Sequence, residues 1–174
     1  MALQLARNAE PVENVEVYVM FVNTTNRIVN LYWVRRNEER RNVYSENIEL
    51  TLKPKQEVRV NTYSSHTWFF RDYFTGERMH VRAKPLFFPI RIRLPKREQP
   101  DVLCDVRSRV SIHFPVRTLR ENCLWLIVKW LSSSSDSAAR ELINRFQIPY
   151  TLKQQLRHLL NCILNYRCIT EPII

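Results

Sequence analysis

The sequence predicts an α+β protein in which an antiparallel β sandwich of about seven strands is followed by a small three-helix α domain. Three observations support this prediction. Residues up to Phe114 alternate between polar and apolar side chains, as strands do. Turn-forming runs such as NTTN, RRNEERRN and KREQPD separate these segments. After Pro115 the apolar residues recur at helical spacing instead.

The strand-like segments follow one another without an intervening helical pattern. In the first, VEVYVMFV, the side chains of Val15, Val17, Val19 and Phe21 share one face of an extended chain. The seven segments are 15–22, 27–34, 47–52, 57–63, 66–70, 88–94 and 106–114. Since 45% of the 174 residues are hydrophobic, the sandwich has enough apolar material for a core.

One stretch, NTYSSHTWFFRD at 61–72, does not have the composition of a core strand. It contains hydroxyl groups, a histidine and aromatic rings, but no aliphatic side chain. If it is extended, Thr62, Ser64, His66 and Trp68 lie on one side. We therefore interpret it as a hydrogen-bonding surface that ends in an aromatic wall.

The helical part begins with a capping box formed by Thr118 and Glu121, which predicts a helix starting at Leu119. Apolar residues fill nine of the thirteen positions of this helix, LRENCLWLIVKWL, so it needs two surfaces to bury against. The four serines after it predict its end, and SDSAARELINRF predicts a second helix. Thr151 and Gln154 predict the cap of a third helix, which carries leucines at helical spacing.

Composition argues against several classes of function. The net charge is +10, but the basic residues are scattered through the chain, which does not favour nucleic-acid binding. The single glycine, Gly76, excludes a glycine-rich phosphate loop. The four cysteines lack zinc-site spacing, so we expect buried free thiols and neither a metal nor a cofactor.

Neither a membrane protein nor an enzyme is expected. No stretch has the length of a membrane span and the N-terminal residues lack an apolar signal region, so we expect a cytoplasmic and nuclear protein. Ser65 and His66 are adjacent and would point to opposite faces of a strand, and no glycine turn presents a serine. We instead interpret Trp33, Tyr44, Thr62, His66 and Trp68 as a polar aromatic binding pocket.

Four blocks of the sequence resemble the von Hippel-Lindau tumour-suppressor family in order and spacing. They are MFVNTTNRIVNLYWV, NTYSSHTWFFRD, PLFFP and FPVRTLRENCLWLI, and the resemblance extends over roughly residues 14–160. It implies a β sandwich followed by a three-helix α domain. It also implies a non-catalytic substrate receptor of a cullin–RING ubiquitin ligase, joined to the ligase through elongins B and C. The substrate would be prolyl-hydroxylated hypoxia-inducible factor α.

The resemblance implies roles for the pocket residues. Trp33 and Trp68 would enclose the hydroxyproline ring, and His66 and Thr62, the latter in place of the family's usual serine, would pair with its hydroxyl. Tyr44 stands for the tyrosine that completes the family's pocket. The neighbouring contacts would come from Tyr63, which also matches, and from Asn61, which replaces a histidine.

The first helix resembles the elongin box, Leu-x3-Cys-x3-apolar, at Leu119, Cys123 and Ile127. The resemblance implies that elongin C binds these residues together with Leu124 and Leu126, and that IPYTL at 148–152 is similar to a cullin box. The implied units are a substrate-recognition domain at 14–114, an elongin-binding α domain at 115–149, and a helix and tail at 150–174 that return to the β domain.

Two other functions stay open at this point. One is a scaffold of the same fold, associated with microtubules or matrix but without a ligase role. The other is a basic nucleic-acid-binding protein, which would show a steep dependence of affinity on salt.

Overall fold

The computed structural model describes residues 14–34 and 47–170, and it confirms the α+β class with strands preceding helices. The described strands are β1 Glu16–Asn23, β2 Val29–Val34, β3 Asn47–Leu52, β4 Glu57–Tyr63, β5 Thr67–Asp72, β6 Arg78–Met79, β7 Arg93–Lys96, β8 Gln99–Asp105 and β9 Ser108–Ile112. The described helices are α1 Leu119–Leu131, α2 Asp136–Arg145 and α3 Tyr150–Thr170.

Two sheets pack face to face around one apolar core. Their strand orders are β4-β1-β9 and β3-β2-β5-β6. Phe21 of β1 lies at the centre, where its ring centroid is 5.1 Å from that of Trp68 and 5.2 Å from that of Phe70. Since side chains alternate along a strand, the buried Val19 and Phe21 place Tyr18 and Met20 on the outer face of the three-stranded sheet.

The sheets differ from the sequence prediction in three respects. β9 pairs with β1 in parallel, whereas all pairings were expected to be antiparallel, because periodicity predicts a strand but not its direction. The strand predicted at 88–94 is misplaced, since β7 begins only at Arg93. β8 begins at Gln99, inside a run predicted to be a turn. Together β7 and β8 form a two-stranded ribbon. Neither face of this ribbon is buried, so its side chains do not alternate between core and solvent.

The helices begin where capping chemistry allows. The predicted box is present at α1, where the Thr118 side chain accepts from the Glu121 N–H and the Glu121 carboxylate accepts from the Thr118 N–H. Ser135 caps α2. The predicted cap of α3 is wrong, because the carbonyl of Pro149 already accepts from the Leu152 N–H at 3.0 Å, so Thr151 lies inside the first turn.

A buried carboxylate joins the sandwich to the α domain. Glu77 is 3% exposed and lies between the guanidinium groups of Arg27, at 2.7 Å, and Arg117, at 2.6 Å. Arg117 precedes α1, and its guanidinium lies 4.5 Å from the ring centroid of Trp125 on that helix. Burial lowers the pKa of Arg117, and the Glu77 charge opposes that effect. The pairing therefore fixes the start of α1 against the sandwich.

α3 packs on α1 and then reaches the sandwich. Its residues Leu156, Leu160 and Ile163 share one core with α1 and α2, so the first turns of α3 belong to the α-domain core that was expected to end at 149. Further along, the hydroxyl of Tyr166 lies 2.9 Å from that of Tyr32 and accepts from the amide of Asn30 at 3.2 Å. Burial raises the pKa of Tyr166.

Gly76 is required where α3 meets the sandwich. It has a φ of +68°, and a Cβ placed on it would lie 2.4 Å from the ring of Tyr166. We expect Gly76→Ala to lower the free energy of unfolding by at least about 1 kcal/mol, because it adds backbone strain and overpacks the ring. Chemical denaturation of wild type and variant measures the difference. In a Tyr166→Leu background, which removes the ring, Gly76→Ala should cost less than it does in wild type; an equal cost in both backgrounds would show that the close approach to Tyr166 is unimportant.

The stability of the sandwich is expected to fall on acidification. His80 pairs with His113 through a β-bridge, and burial, followed by the charges of His113 and Arg117, lowers the pKa of His80. A histidine whose folded-state pKa is depressed takes up its proton more readily when unfolded, so the folded state loses stability as pH falls below about 6.5. Denaturation at pH 7.5 and 5.5 should show a smaller loss for His80→Gln than for wild type. The exposed control His158→Gln should behave like wild type, and equal losses in all three proteins would contradict this assignment.

Candidate functional site

The stretch 61–72, whose polar side chains were expected to share one extended face, is instead a connection between the two sheets. β4 ends at Tyr63, and a turn closed by the His66 N–H donating to the Tyr63 carbonyl at 3.0 Å leads into β5. The two strands belong to different sheets. The turn therefore brings Thr62, His66 and Trp68 together across the edge of the sandwich, with Ser64 accepting from the Val15 N–H at 3.1 Å.

The hydroxyl of Thr62 is the centre of this cluster. Its Oγ1 accepts from the indole Nε1–H of Trp68 at 2.9 Å and lies 3.1 Å from Nδ1 of His66. Thr62 is 1% exposed and Trp68 is 3% exposed. A hydroxyl carries one donor and two acceptor sites, so Thr62 can hold His66 in place while its acceptor bond to Trp68 persists.

Aromatic rings surround His66 on the more exposed side. Trp33 of β2 stacks on it with ring centroids 4.5 Å apart and an interplanar angle of 21°. Tyr63 meets its edge at 5.3 Å and is 43% exposed. Trp33 and His66 are half-buried. The accessible part of the site is thus a polar imidazole between two aromatic side chains, a setting suited to a small apolar ring with one polar group.

The structure assigns different positions to the predicted pocket residues. Trp68 packs in the core against Phe21, so it lies beneath the site and contributes its N–H to Thr62 instead of forming an exposed wall. Thr62, Tyr63, His66 and Trp33 come together as predicted from the sequence. Tyr44 lies outside the described residues.

Arg107 is a neighbour of the site that sequence reasoning missed. Its Nη2 donates to Oδ1 of Asn61 at 2.9 Å, and its Nη1 donates to the carbonyl oxygens of Val19 at 2.9 Å and Val60 at 3.0 Å. Asn61 is exposed and keeps its amide N–H groups as donors. No local pattern predicts this contact, because 46 residues separate the two side chains in sequence.

β4 lies at the edge of its sheet. It pairs with β1 on one side, and no described strand pairs with its other side. Thr62, Asn61 and Tyr63 are all on this strand. An edge strand offers backbone N–H and C=O groups with which an extended peptide can pair.

The outer face of α1 is a second candidate site. Leu124, Val128 and Leu131 are buried in the α-domain core, while an exposed apolar stripe runs along the opposite side of the helix. The stripe consists of Leu119, 80% exposed, Cys123, Leu126, 71% exposed, and Trp130, 63% exposed. These positions recur at i, i+4, i+7 and i+11, which places them on one face.

The residues predicted to contact elongin C differ in exposure. Leu124 is 9% exposed and packs in the α-domain core, whereas Leu119, Cys123 and Leu126 lie on the exposed stripe. Ile127 is half-buried against the core and borders the stripe. Trp130 was missed, although its spacing from Leu119 follows the helical period. Hydrogen bonds from the Thr118 N–H and hydroxyl hold the pKa of Glu121 below its usual range, so this cap stays charged where α1 begins.

A groove of about 970 Å³ separates the start of α1 from α3. Trp125 and Leu159 supply apolar surface, and Arg120 and Gln155, which are hydrogen-bonded at 2.9 Å, supply polar surface.

Two sequence predictions about cysteines and membrane spans can be compared with the structure. The cysteines are free, but Cys123, Cys162 and Cys168 are exposed and only Cys104 is partly covered, so the prediction of buried thiols is wrong. None of the helices in the described ranges combines the length and apolar character needed to cross a bilayer.

Two comparisons with known proteins agree with this architecture. A family model described as the VHL beta domain matches residues 10–93, and the match ends at the first residue of β7. The chain is also 55% identical over 175 aligned residues to Protein Vhl of Drosophila melanogaster, covering 95% of this chain and 94% of that protein. Identity of that extent includes both the sandwich and the helices. The chain therefore belongs to the von Hippel-Lindau family of substrate-recognition proteins.

Proposed function

We propose that the protein is the substrate-recognition subunit of an elongin B/C–cullin–RING ubiquitin ligase. In this role it binds prolyl-hydroxylated hypoxia-inducible factor α and directs it to ubiquitination and proteasomal degradation. Family membership points to partners in a ubiquitin ligase complex in general. The observation that carries the specific proposal is the hydrogen-bonded cluster of Thr62, His66 and Trp68 beside the half-buried ring of Trp33.

The cluster supports recognition of a hydroxylated ring. A purely apolar pocket discriminates poorly for or against one hydroxyl, whereas a site with fixed hydrogen-bonding groups rejects a ligand that leaves them unpaired. Thr62 fixes His66 through its Nδ1, and Trp33 stacks on the imidazole. The proline ring would contact Trp33 and Tyr63, and its hydroxyl would bond with His66 and Thr62.

The edge position of β4 supports binding of an extended substrate. A peptide that pairs with β4 would carry its hydroxyproline past Thr62 towards the turn that holds His66. Backbone hydrogen bonds would supply affinity independent of sequence, and the pocket would supply specificity.

The stripe on α1 supports the link to the ligase. Exposed apolar patches of this kind mark protein interfaces, and the other side of α1 is already buried in its own domain. Elongin C would cover Leu119, Cys123, Leu126 and Trp130, with Ile127 at the border. The cullin would bind to the elongins and to the residues around Pro149, and the RING subunit would bind to the cullin. The chain would contribute no catalytic residue and would act in cytoplasm and nucleus.

Co-purification tests the proposal. The full chain, co-expressed with elongins B and C, is expected to form a stable complex that a hydroxyproline peptide of hypoxia-inducible factor α captures on beads. The same peptide with unmodified proline should capture little of it. If the chain binds the peptide but does not bind the elongins, it is instead a binding scaffold of the same fold. Absence of both interactions would refute the proposed function.

A further inference from the structure

The outer face of the three-stranded sheet carries a group of arginines next to the pocket. Strand alternation and register define it. Arg59 of β4, Met20 of β1 and Arg109 of β9 are direct neighbours across the sheet. One step along, Asn61 faces Tyr18, and the guanidinium of Arg107 lies 5.5 Å from the Tyr18 ring centroid. Directly opposed side chains lie about 5 Å apart and those two residues apart along a strand about 7 Å apart, so the three arginines share one compact area.

The positive charge of this area is incompletely compensated. No described residue forms an ion pair with Arg59, and Arg109 has only Glu57, at 3.9 Å with both side chains at least half exposed. Such a pair is too exposed to neutralise the arginine strongly. Arg107 is bound to carbonyl and amide oxygens, which leave its charge in place.

The area continues directly into the rim of the pocket. Asn61 lies beside Thr62 on β4, and its Oδ1 is occupied by Arg107, so its amide offers only N–H groups to a ligand. Arg59 is two residues further along the same strand. Along this part of β4, Asn61 and Arg59 therefore present hydrogen-bond donors and a cation, while Glu16 on neighbouring β1 adds one carboxylate, which accepts from the Tyr18 hydroxyl.

We propose that this surface, formed by Arg59, Asn61, Arg107 and Arg109, binds carboxylate side chains that flank the hydroxyproline of the substrate. The inference rests on the proposed function, because the substrate strand is taken to lie along β4. At about 3.4 Å per residue, the acidic side chain would stand about two to four residues from the hydroxyproline. The preferred substrate class is thus an extended, acidic segment that contains a hydroxylated proline.

An acidic peptide fits this surface better than a nucleic acid. Glu57 pairs with Arg109, and Glu16 bonds to Tyr18 on the same face. Stable binding of a phosphate backbone draws on many cationic contacts, for which this area is too small and too mixed in charge. Three arginines are enough to bind one or two carboxylates.

The test uses four peptides that combine hydroxyproline or proline with acidic or amide flanks, titrated against the full chain. The double variant Arg59→Gln/Arg109→Gln leaves the structural bonds of Arg107 intact. Its control, Arg140→Gln/Arg145→Gln on α2, removes the same charge from the α domain. The hydroxylated acidic peptide is expected to bind wild type and control about 5-fold more tightly than its amide counterpart, an advantage that the Arg59/Arg109 variant should lose.

The outcomes separate this inference from the function on which it rests. If hydroxyproline peptides are preferred but peptides with acidic and with amide flanks bind equally, the arginine surface has no role in binding. The proposed role of the pocket would be unaffected. A preference for acidic flanks that survives in the Arg59/Arg109 variant also overturns the inference. If the hydroxyproline and proline peptides bind with equal affinity, the proposed function itself is contradicted. Duplex DNA that displaces the acidic peptide at equal concentration would assign the surface to nucleic acid instead.

Discussion

A peptide with hydroxyproline is expected to bind about 100-fold more tightly than the same peptide with proline. Covering His66 with an apolar ring leaves a hydrogen-bonding group without a partner, and each such buried group costs about 1 to 3 kcal/mol. With either peptide, the Thr62 hydroxyl still accepts from the Trp68 N–H. Most of the free-energy cost of binding proline therefore comes from His66, and the rest from the Thr62 hydroxyl, which would lack a bond to the ligand. The measurement is a calorimetric titration with two peptides that differ by one oxygen atom.

Variants at the cluster identify which groups read the hydroxyl. His66→Ala should reduce the preference about 10-fold or more, because it removes the imidazole that pairs with the ligand. Thr62→Val should reduce it as well but also leave the Trp68 N–H unpaired, so Thr62→Ser, which keeps the hydroxyl, is the matched control. Ser65→Ala in the same turn should bind like wild type. A preference that persists in the His66→Ala/Thr62→Val protein would assign hydroxyl recognition to other residues.

Leu119→Ala is expected to weaken the complex with elongin C by about 2 kcal/mol or more, as expected when a large apolar side chain is fully buried by the partner. Leu119 is 80% exposed in the chain alone, so its truncation should leave the melting temperature of the free protein nearly unchanged. Surface plasmon resonance with the elongin B/C pair and a thermal melt of the free protein measure the two effects.

The control for Leu119 is another exposed leucine outside the stripe. Leu103 on the β7–β8 ribbon is 57% exposed, and Leu103→Ala should leave elongin affinity unchanged. Trp130→Ala, at the other end of the stripe, should also weaken the complex. Elongin affinity that is insensitive to both Leu119 and Trp130 would place the elongin interface on another surface.

The elements that could be predicted from sequence are those governed by local chemistry. The capping box of Thr118 and Glu121 predicted the first residue of α1, because both partners lie within one turn. The apolar period of α1 predicted its two-sided character. The β7–β8 ribbon could not be predicted, because neither of its faces is buried and its sequence therefore lacks the alternation that marks a strand. Its ends depend only on where the two exposed strands pair.

The sequence indicated that Thr62, His66 and Trp68 lie close together, but not the geometry of their contact. They were expected to share one face of an extended chain, whereas a turn between two sheets brings them together. The distinction between a buried Trp68 and an accessible Trp33 needed the tertiary packing. The contact of Arg107 with Asn61 depends on β9 lying parallel beside β1, which no local pattern encodes.

Reconstituted ubiquitin transfer tests most directly whether one chain couples hydroxyproline recognition to a ligase. The full chain is combined with elongins B and C, a cullin, its RING subunit, and a substrate segment that carries either hydroxyproline or proline. Ubiquitin transfer is expected on the hydroxylated segment only, and is expected to be lost with His66→Ala and, independently, with Leu119→Ala. Equal transfer to both segments, or undiminished transfer with the two variants, would contradict the account.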